Sequence, residues 1–430
     1  MLHQQQFKKR RWLTSSCPRT LISVVQHFNS DRELNPSPIA PWQVDLQNLR
    51  MQPVQENPLL LSLTLANLLS KDTIKVDLIP EKKGLFLKHV EYQVTSQRFK
   101  ISVYRRYSDF DVFHELLLQR YAYRTVPALP PKRVLKGERE FIEGRRRGLG
   151  RFLNLVARHP FFSEDELVKT FLTFSGSDVQ TKLRDSFKRM GDEFMTCRYA
   201  TQAKEYLPAD IQSCFSASRE LIRNIHNSFQ KLRERAEKMA ERSKENATDL
   251  LMFGKELSAL GSDSSPVPVL GLSKSMWGDL RHSLHGLSSE FSSLADKAAE
   301  QGRREEDDVV EKLHLFLDLL QSYKDLCERH EKGVLHEHQK ALQKYSVMKR
   351  QMMSATVQSK EQVSVEQLES RIVQQENAIQ TMELRNYFSL FCLHQESQLI
   401  FTYLPITSDI LGAFVNSQVQ GHREVRTAVY

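Results

Sequence analysis

Arg105-Arg106-Tyr107-Ser108-Asp109-Phe110 is the stretch on which the fold turns. Val90 to Tyr104, before it, has strand character. After it, Phe110, Phe113, Leu116 or Leu117, and Tyr121 recur every three or four residues, the spacing of a helix. The arginine pair therefore sits where a strand hands over to a helix, with Ser108 as the expected helix cap. An arginine fork matches the geometry of a phosphate, and a tyrosine ring beside it can pack on a sugar or inositol face. Taken alone, the tripeptide fits equally well two surface arginines on a strand edge beside a core tyrosine.

Two later segments add to it. Pro127-Ala128-Leu129-Pro130-Pro131-Lys132 is a stiff, extended turn ending in a lysine. Thirteen residues on begins Arg145-Arg146-Arg147-Gly148-Leu149-Gly150-Arg151-Phe152-Leu153, a basic run opening onto an amphipathic helix. In order and spacing the three elements resemble the PX domain, the phosphoinositide-binding module of the sorting nexin family. The resemblance implies that Arg106 binds the 3-phosphate of phosphatidylinositol 3-phosphate and that Tyr107 stacks on the inositol ring. It gives Lys132 the 1-phosphate and Arg145 the 4- and 5-hydroxyls. Arg146 is the register alternative to Arg145, and Arg105 and Arg146 count as supporting bases. The expected α+β module, a small antiparallel sheet with helices, covers residues 71–176.

Charge points the same way. The chain of 430 residues carries a net charge of +8, and residues 101–160 hold 13 Lys or Arg against 6 Asp or Glu. Such a surplus suits an anionic membrane surface, where each nearby basic residue contributes on the order of 1 kcal/mol. Nucleic acid is the competing anion, but no zinc-finger spacing, aromatic RNA-binding motif or basic-zipper pattern accompanies the charge. No apolar run approaches the ~20 residues of a membrane span, so membrane contact is expected to be peripheral. The five cysteines are scattered, with no CxxC pair, which suits a reducing compartment rather than a disulfide scaffold or zinc site. Residues 1–57, with Lys8-Lys9-Arg10-Arg11 and scattered prolines, read as a disordered tail rather than a transit peptide. Residues 59–69 read as a short amphipathic segment, a docking helix or an extended leader into the module.

Beyond Ser175-Gly176-Ser177, an amphipathic linker is expected over 178–198. Its stripe of Val179, Leu183, Phe187, Met190 and Phe194 is flanked by Lys182, Arg184, Lys188 and Arg189. The stripe suits either a membrane-inserting helix or an ordinary helix packed on its neighbour. Residues 200–425 are helical almost throughout. Long helices are expected over Ser218–Leu260, Ser273–Met353 and Val363–Val419, with bends at Gly333 and Pro405 and an early stop after Gly421. Val309 or Val310, Leu313, Phe316 or Leu317, Leu320, Tyr323 and Cys327 step by three and four as a coiled-coil seam. An elongated all-α three-helix bundle of this kind resembles the BAR domain, a crescent-shaped dimer with a basic concave face. In the sorting nexins that carry one, a membrane-active amphipathic helix lies at the junction, a role that falls here to Leu183, Phe187, Met190 and Phe194.

The resemblance implies a peripheral membrane protein on the cytosolic face of early endosomes. It would form a homodimer or heterodimer and sense or generate curvature during endosome to trans-Golgi transport, with cargo and coat proteins unknown. The alternative is a coiled-coil endosomal scaffold whose PX domain mainly binds protein partners. Lys340, Lys344, Lys349 and Arg350 are candidate membrane-facing bases. No catalytic residues, metal ligands, cofactor or nucleic-acid partner are expected. His330, His336 and His338 read as surface histidines, and Gly144 to Gly150 lacks dinucleotide-loop spacing.

Overall fold

The computed structural model describes residues 57–79, 90–132, 139–263, 274–357 and 362–429. The expected tail up to Glu56 and the expected Lys82-Lys83-Gly84 turn lie outside them. After a leader that ends in helix α1 (Leu65–Leu69) come strands β1 (Ile74–Leu78), β2 (Glu91–Ser96) and β3 (Ile101–Arg106). Among the described residues they form one antiparallel sheet in the order β1-β2-β3, with Val76 opposite Val94 and Val94 opposite Val103. Strand residues alternate between faces, so Tyr92, Val94, Val103 and Arg105 point to the core while Glu91, Tyr104 and Arg106 point outward.

Helices α2 (Tyr107–Arg120), α3 (Arg139–Arg158) and α4 (Glu166–Thr173) cover the inner face. Phe110, Phe113, Phe152 and Phe171 are fully buried among the strand valines, with the Phe113 and Phe171 rings stacked 4.2 Å apart. Each such burial contributes roughly 1.5–3 kcal/mol. The cap of α2 is not Ser108. Asp109 accepts the backbone N–H of Arg106 at 2.8 Å and so fixes the corner between strand and helix.

The amphipathic linker departs from its membrane-inserting expectation. It forms α5 (Val179–Met190), which ends at Gly191, and a separate short helix α6 (Glu193–Thr196). Val179 and Leu183 are buried in the module's core, and Phe187 and Met190 pack against it. Phe194 lies elsewhere, in a cluster with Tyr123 and Phe388. The stripe is committed to the interior because α2 and α4 offer it an apolar surface already in place; its cations face solvent.

After the short α7 (Ala203–Tyr206), α8 (Ile211–Ser262) runs 52 residues, about 78 Å. One helical run then covers Lys274–Val357 as α9 (Lys274–Arg304), α10 (Glu311–Arg329) and α11 (His336–Val357). Two π-helical segments, Glu305–Val310 and His330–Leu335, join them. Helices α12 (Gln362–Tyr403) and α13 (Ile406–Val429) flank Pro405, which interrupts the last helix as expected. Gly333 lies in the second π segment. The seam residues from Val309 to Cys327 are all buried. The last helix does not stop near Gly421 but continues to Val429. At Gly421 a Cβ would sit 2.6 Å from Gln301 Oε1, so the glycine permits close approach to α9 without ending α13. By length and composition, part of the Glu366–Thr427 span is apolar enough to cross a membrane. That departs from the expectation that no run was; Leu399, Ile400, Tyr403 and Ile410 within it are buried in the bundle.

His330 corrects a further expectation. It is buried, not a surface residue, with Nδ1 2.8 Å from Ser389 Oγ, and burial holds its pKa down to about 4. Protonation therefore favours the unfolded chain. Stability should be full above about pH 6.5 and fall as pH drops toward about 4, by on the order of 1–3 kcal/mol. Melting temperature against pH for wild type and His330→Asn tests this: the variant should lose that part of the slope, and parallel curves would refute the assignment.

Candidate functional site

Strand alternation divides the arginine pair. Arg105 is 2% exposed and donates to the carbonyls of Phe171 (3.0 and 2.7 Å), Phe174 (2.6 Å) and Tyr104 (2.7 Å). Burial pushes its pKa down to about 10, against a raising effect from Asp109, so it stays charged at neutral pH. It ties β3 to the end of α4, with four of its five N–H groups engaged by backbone carbonyls. The expectation of a supporting base there is corrected.

Arg106, directly opposite Glu91 in the β2–β3 ladder, lies on the outer face and pairs with that carboxylate at 2.9 Å. Its side chain is 55% exposed. Tyr107, the first residue of α2, donates its hydroxyl to the Pro130 carbonyl at 2.5 Å, which brings the proline segment over the ring. The Lys132 ammonium lies 5.9 Å from the Tyr107 ring centroid and pairs with Asp111 at 2.8 Å. The Arg145 guanidinium lies 5.2 Å from the same centroid and donates to the Tyr92 hydroxyl at 2.8 Å. Burial raises the pKa of both Tyr92 and Tyr107, so both remain neutral donors.

Two cations thus lie against one aromatic ring, one from the proline segment and one from α3, while Arg106, which precedes the ring in the chain at the end of β3, faces outward on Glu91. The segment can approach α3 because residue 148 is glycine; a Cβ there would stand 3.0 Å from Pro130 Cβ. The register question is resolved in space. Arg146 turns away, donating to the Val76 carbonyl at 2.8 Å and to Glu143, and it is not part of the cluster. The carboxylate partners of Arg106 and Lys132 are themselves partly exposed. Exposed pairs of this kind contribute about 0–1 kcal/mol, so an incoming anion can replace them at little cost.

A second polar cluster, which sequence reasoning missed, joins the module to the bundle. Glu396 of α12 is fully buried. Its carboxylate accepts from the Thr125 hydroxyl and backbone N–H, lies 3.0 Å from His159 Nε2, and meets Arg124 Nη1 at 3.3 Å. Burial alone would raise the Glu396 pKa, but His159, Arg124 and the Thr125 hydrogen bond outweigh it and hold the carboxyl down to about 2. Arg124 also pairs with Glu193 at 2.7 Å and lies over the Phe161 ring, 3.6 Å from its centroid. Gln395 binds both Arg124 and the Pro58 carbonyl of the leader. These residues lie up to 337 positions apart, and nothing local in the sequence marks them as a set.

The PX domain family model matches residues 93–175, and the model described as the sorting nexin 8/Mvp1 BAR domain matches residues 189–406. Sorting nexin-8 of Homo sapiens is 71% identical over 377 residues, covering 87% of this chain and 81% of that protein. The chain belongs to the sorting nexin family. Sorting nexin-8 of Mus musculus is 69% identical over 390 residues, covering 90% of this chain and 84% of the relative. Among solved structures, the cryo-EM structure of the SNX-BAR Mvp1 tetramer matches with a TM-score of 0.56 at 23% identity. The match covers 83% of this chain and all of that one, and shows a shared fold. As a sorting nexin with PX and BAR domains, the protein is membrane-associated and takes part in trafficking.

The two arginines should separate in stability measurements. Arg105→Ala leaves two buried carbonyls without their donor and should cost about 2–4 kcal/mol in urea unfolding. Arg106→Ala should change stability by less than about 1 kcal/mol. Equal losses would contradict the inward and outward placement.

Proposed function

We propose that the protein recognises phosphatidylinositol 3-phosphate through Arg106, Tyr107, Lys132 and Arg145. In this proposal it is recruited to early endosomes and uses its paired helical bundle to sense or generate curvature in endosome to trans-Golgi transport. The observation that supports the headgroup assignment is that Lys132 and Arg145 come to the Tyr107 ring from separate elements, beside the exposed Arg106 that precedes it in the chain. In this arrangement Arg106 takes the 3-phosphate, displacing Glu91, and Tyr107 faces the inositol ring. Lys132 takes the 1-phosphate in place of Asp111, and Arg145 holds the 4- and 5-hydroxyls. The PX domain, as residues 71–176, and the BAR domain, as residues 200–425, act as one unit with α5 as a docked connector.

Dimerisation is supported by apolar side chains that a single chain leaves in solvent along α8 and α9: Leu251, Met252, Phe253, Leu260, Leu280 and Leu287. Exposed apolar rows of this extent fit a partner surface. The Mvp1 relative of known structure is a tetramer.

Two measurements test the proposal. On liposomes carrying phosphatidylinositol 3-phosphate at near-physiological salt, Arg106→Ala should lower affinity tenfold or more, since a charge-assisted phosphate contact contributes about 1.5–3 kcal/mol. Unchanged binding would reject the headgroup assignment. Mass photometry of the purified chain should return at least twice its 50.0 kDa mass if the partner is a second copy; a stable monomer would reject homodimerisation.

A further inference from the structure

Half of the headgroup cage stands on elements that the bundle holds in place. Lys132 closes the proline segment, and that segment starts at Pro127, two residues after Thr125, which with Arg124 is fastened to Glu396. Arg329 of α10 adds a donor at 2.6 Å to the Arg124 carbonyl. Arg145 stands on α3, two residues before Arg147 and six before Arg151. Arg147 pairs with Glu306 and, at 3.2 Å, with Glu311; Arg151 pairs with Glu311 at 2.8 Å and Asp318 at 2.7 Å. Lys244 of α8 shares Glu306 at 3.1 Å, so this clamp reaches two long helices. Arg106 and Tyr107 differ: their polar partners, Glu91, Asp109 and Pro130, all lie within the PX module.

We infer that the bundle positions one side of the headgroup cage. Glu396, through the base of the proline segment, and Glu311, through α3, set where Lys132 and Arg145 stand relative to Arg106. The inference rests on the phosphoinositide assignment and goes beyond it, because it makes Glu311 and Glu396 positioning residues for a ligand they do not touch. The physical route is short. Helix α3 is continuous from Arg145 to Arg151, so a shift of the bundle at Glu311 moves Arg145 with little loss. Glu306 lies in the π-helical segment Glu305–Val310, an interruption of regular α-helical hydrogen bonding at which a long helix readily changes its path. A bundle that bends on a curved surface would therefore move one wall of the cage and leave the other in place. By linkage, a headgroup bound more tightly in one bundle shape favours that shape by the same factor.

The test uses the full-length chain and soluble dibutanoyl phosphatidylinositol 3-phosphate, with no membrane present, read by calorimetry. Glu396→Gln leaves buried Arg124 and His159 short of a partner and risks unfolding the interface, so the half-buried Glu311 carries the experiment. Glu311→Gln should weaken binding about fivefold or more, while Glu337→Gln on the exposed face of α11 leaves it unchanged. In an Arg145→Lys background the effect of Glu311→Gln should largely vanish, because both changes act through one contact; independent effects would add. If wild type does not bind the soluble lipid, the phosphoinositide assignment itself falls. If wild type binds and Glu311→Gln binds equally well, the positioning inference is overturned and the assignment stands. A Glu311→Gln loss of the same size in both backgrounds also overturns it, since that is the mark of a general structural defect.

Discussion

A carboxylate with no access to water cannot remain ionised unless the protein supplies what water would have supplied. Glu396 is that group, and the arrangement of the molecule depends on how it is satisfied. Thr125 and His159 from the PX module and Arg124 at the head of the proline segment surround it. Arg124 in turn brings in Glu193 from the connector, and neighbouring Gln395 brings in the leader. Leader, module, connector and bundle each contribute a partner. Removing Arg124 leaves the buried carboxylates of Glu193 and Glu396 without their counter-ion, a far larger penalty than losing a surface pair. Apolar packing reinforces the same joint: Leu59, Tyr123, Phe194, Phe388 and Phe391 form one cluster from all four segments.

That joint changes how membrane recognition by two domains is to be understood. Two weak sites on a flexible tether gain strength through effective concentration alone. Two sites on one clamped body gain it only when headgroup and surface present themselves in the matching geometry. Discrimination then comes from shape as well as from the sum of contacts. The connecting helix fits this picture: α5 spends its apolar face on the module and leaves Lys182, Arg184, Lys188 and Arg189 outward. In this conformation its apolar face is occupied by the module.

The candidate site shows how finely position separates function from structure. Arg105 and Arg106 are chemically identical neighbours, yet one fastens a strand to a helix end and the other faces solvent. The Val103-Tyr104-Arg105-Arg106 alternation carries that distinction, since Val103 has to face the core and period two then sends Arg105 inward. That alternation is legible in the sequence. Arg145 and Arg146 differ for a helical reason: adjacent residues point about 100° apart, so only one can face Tyr107. Which one does so follows from where β1 and the proline segment pack.

From the sequence came the α+β module, the long helices with their seam and break at Pro405, and, through the motif spacing, the neighbourhood of Tyr107, Lys132 and Arg145. Each is written in local periodicity, in stiff proline geometry or in motif spacing. The partners of long apolar stripes and of buried charges are not local. The inward docking of Leu183 and Phe187, the burial of His330 and the convergence on Glu396 depend on surfaces brought together from distant parts of the chain. A carboxylate or an apolar stripe reads the same in sequence whether it meets water, lipid or protein, and only tertiary packing decides which.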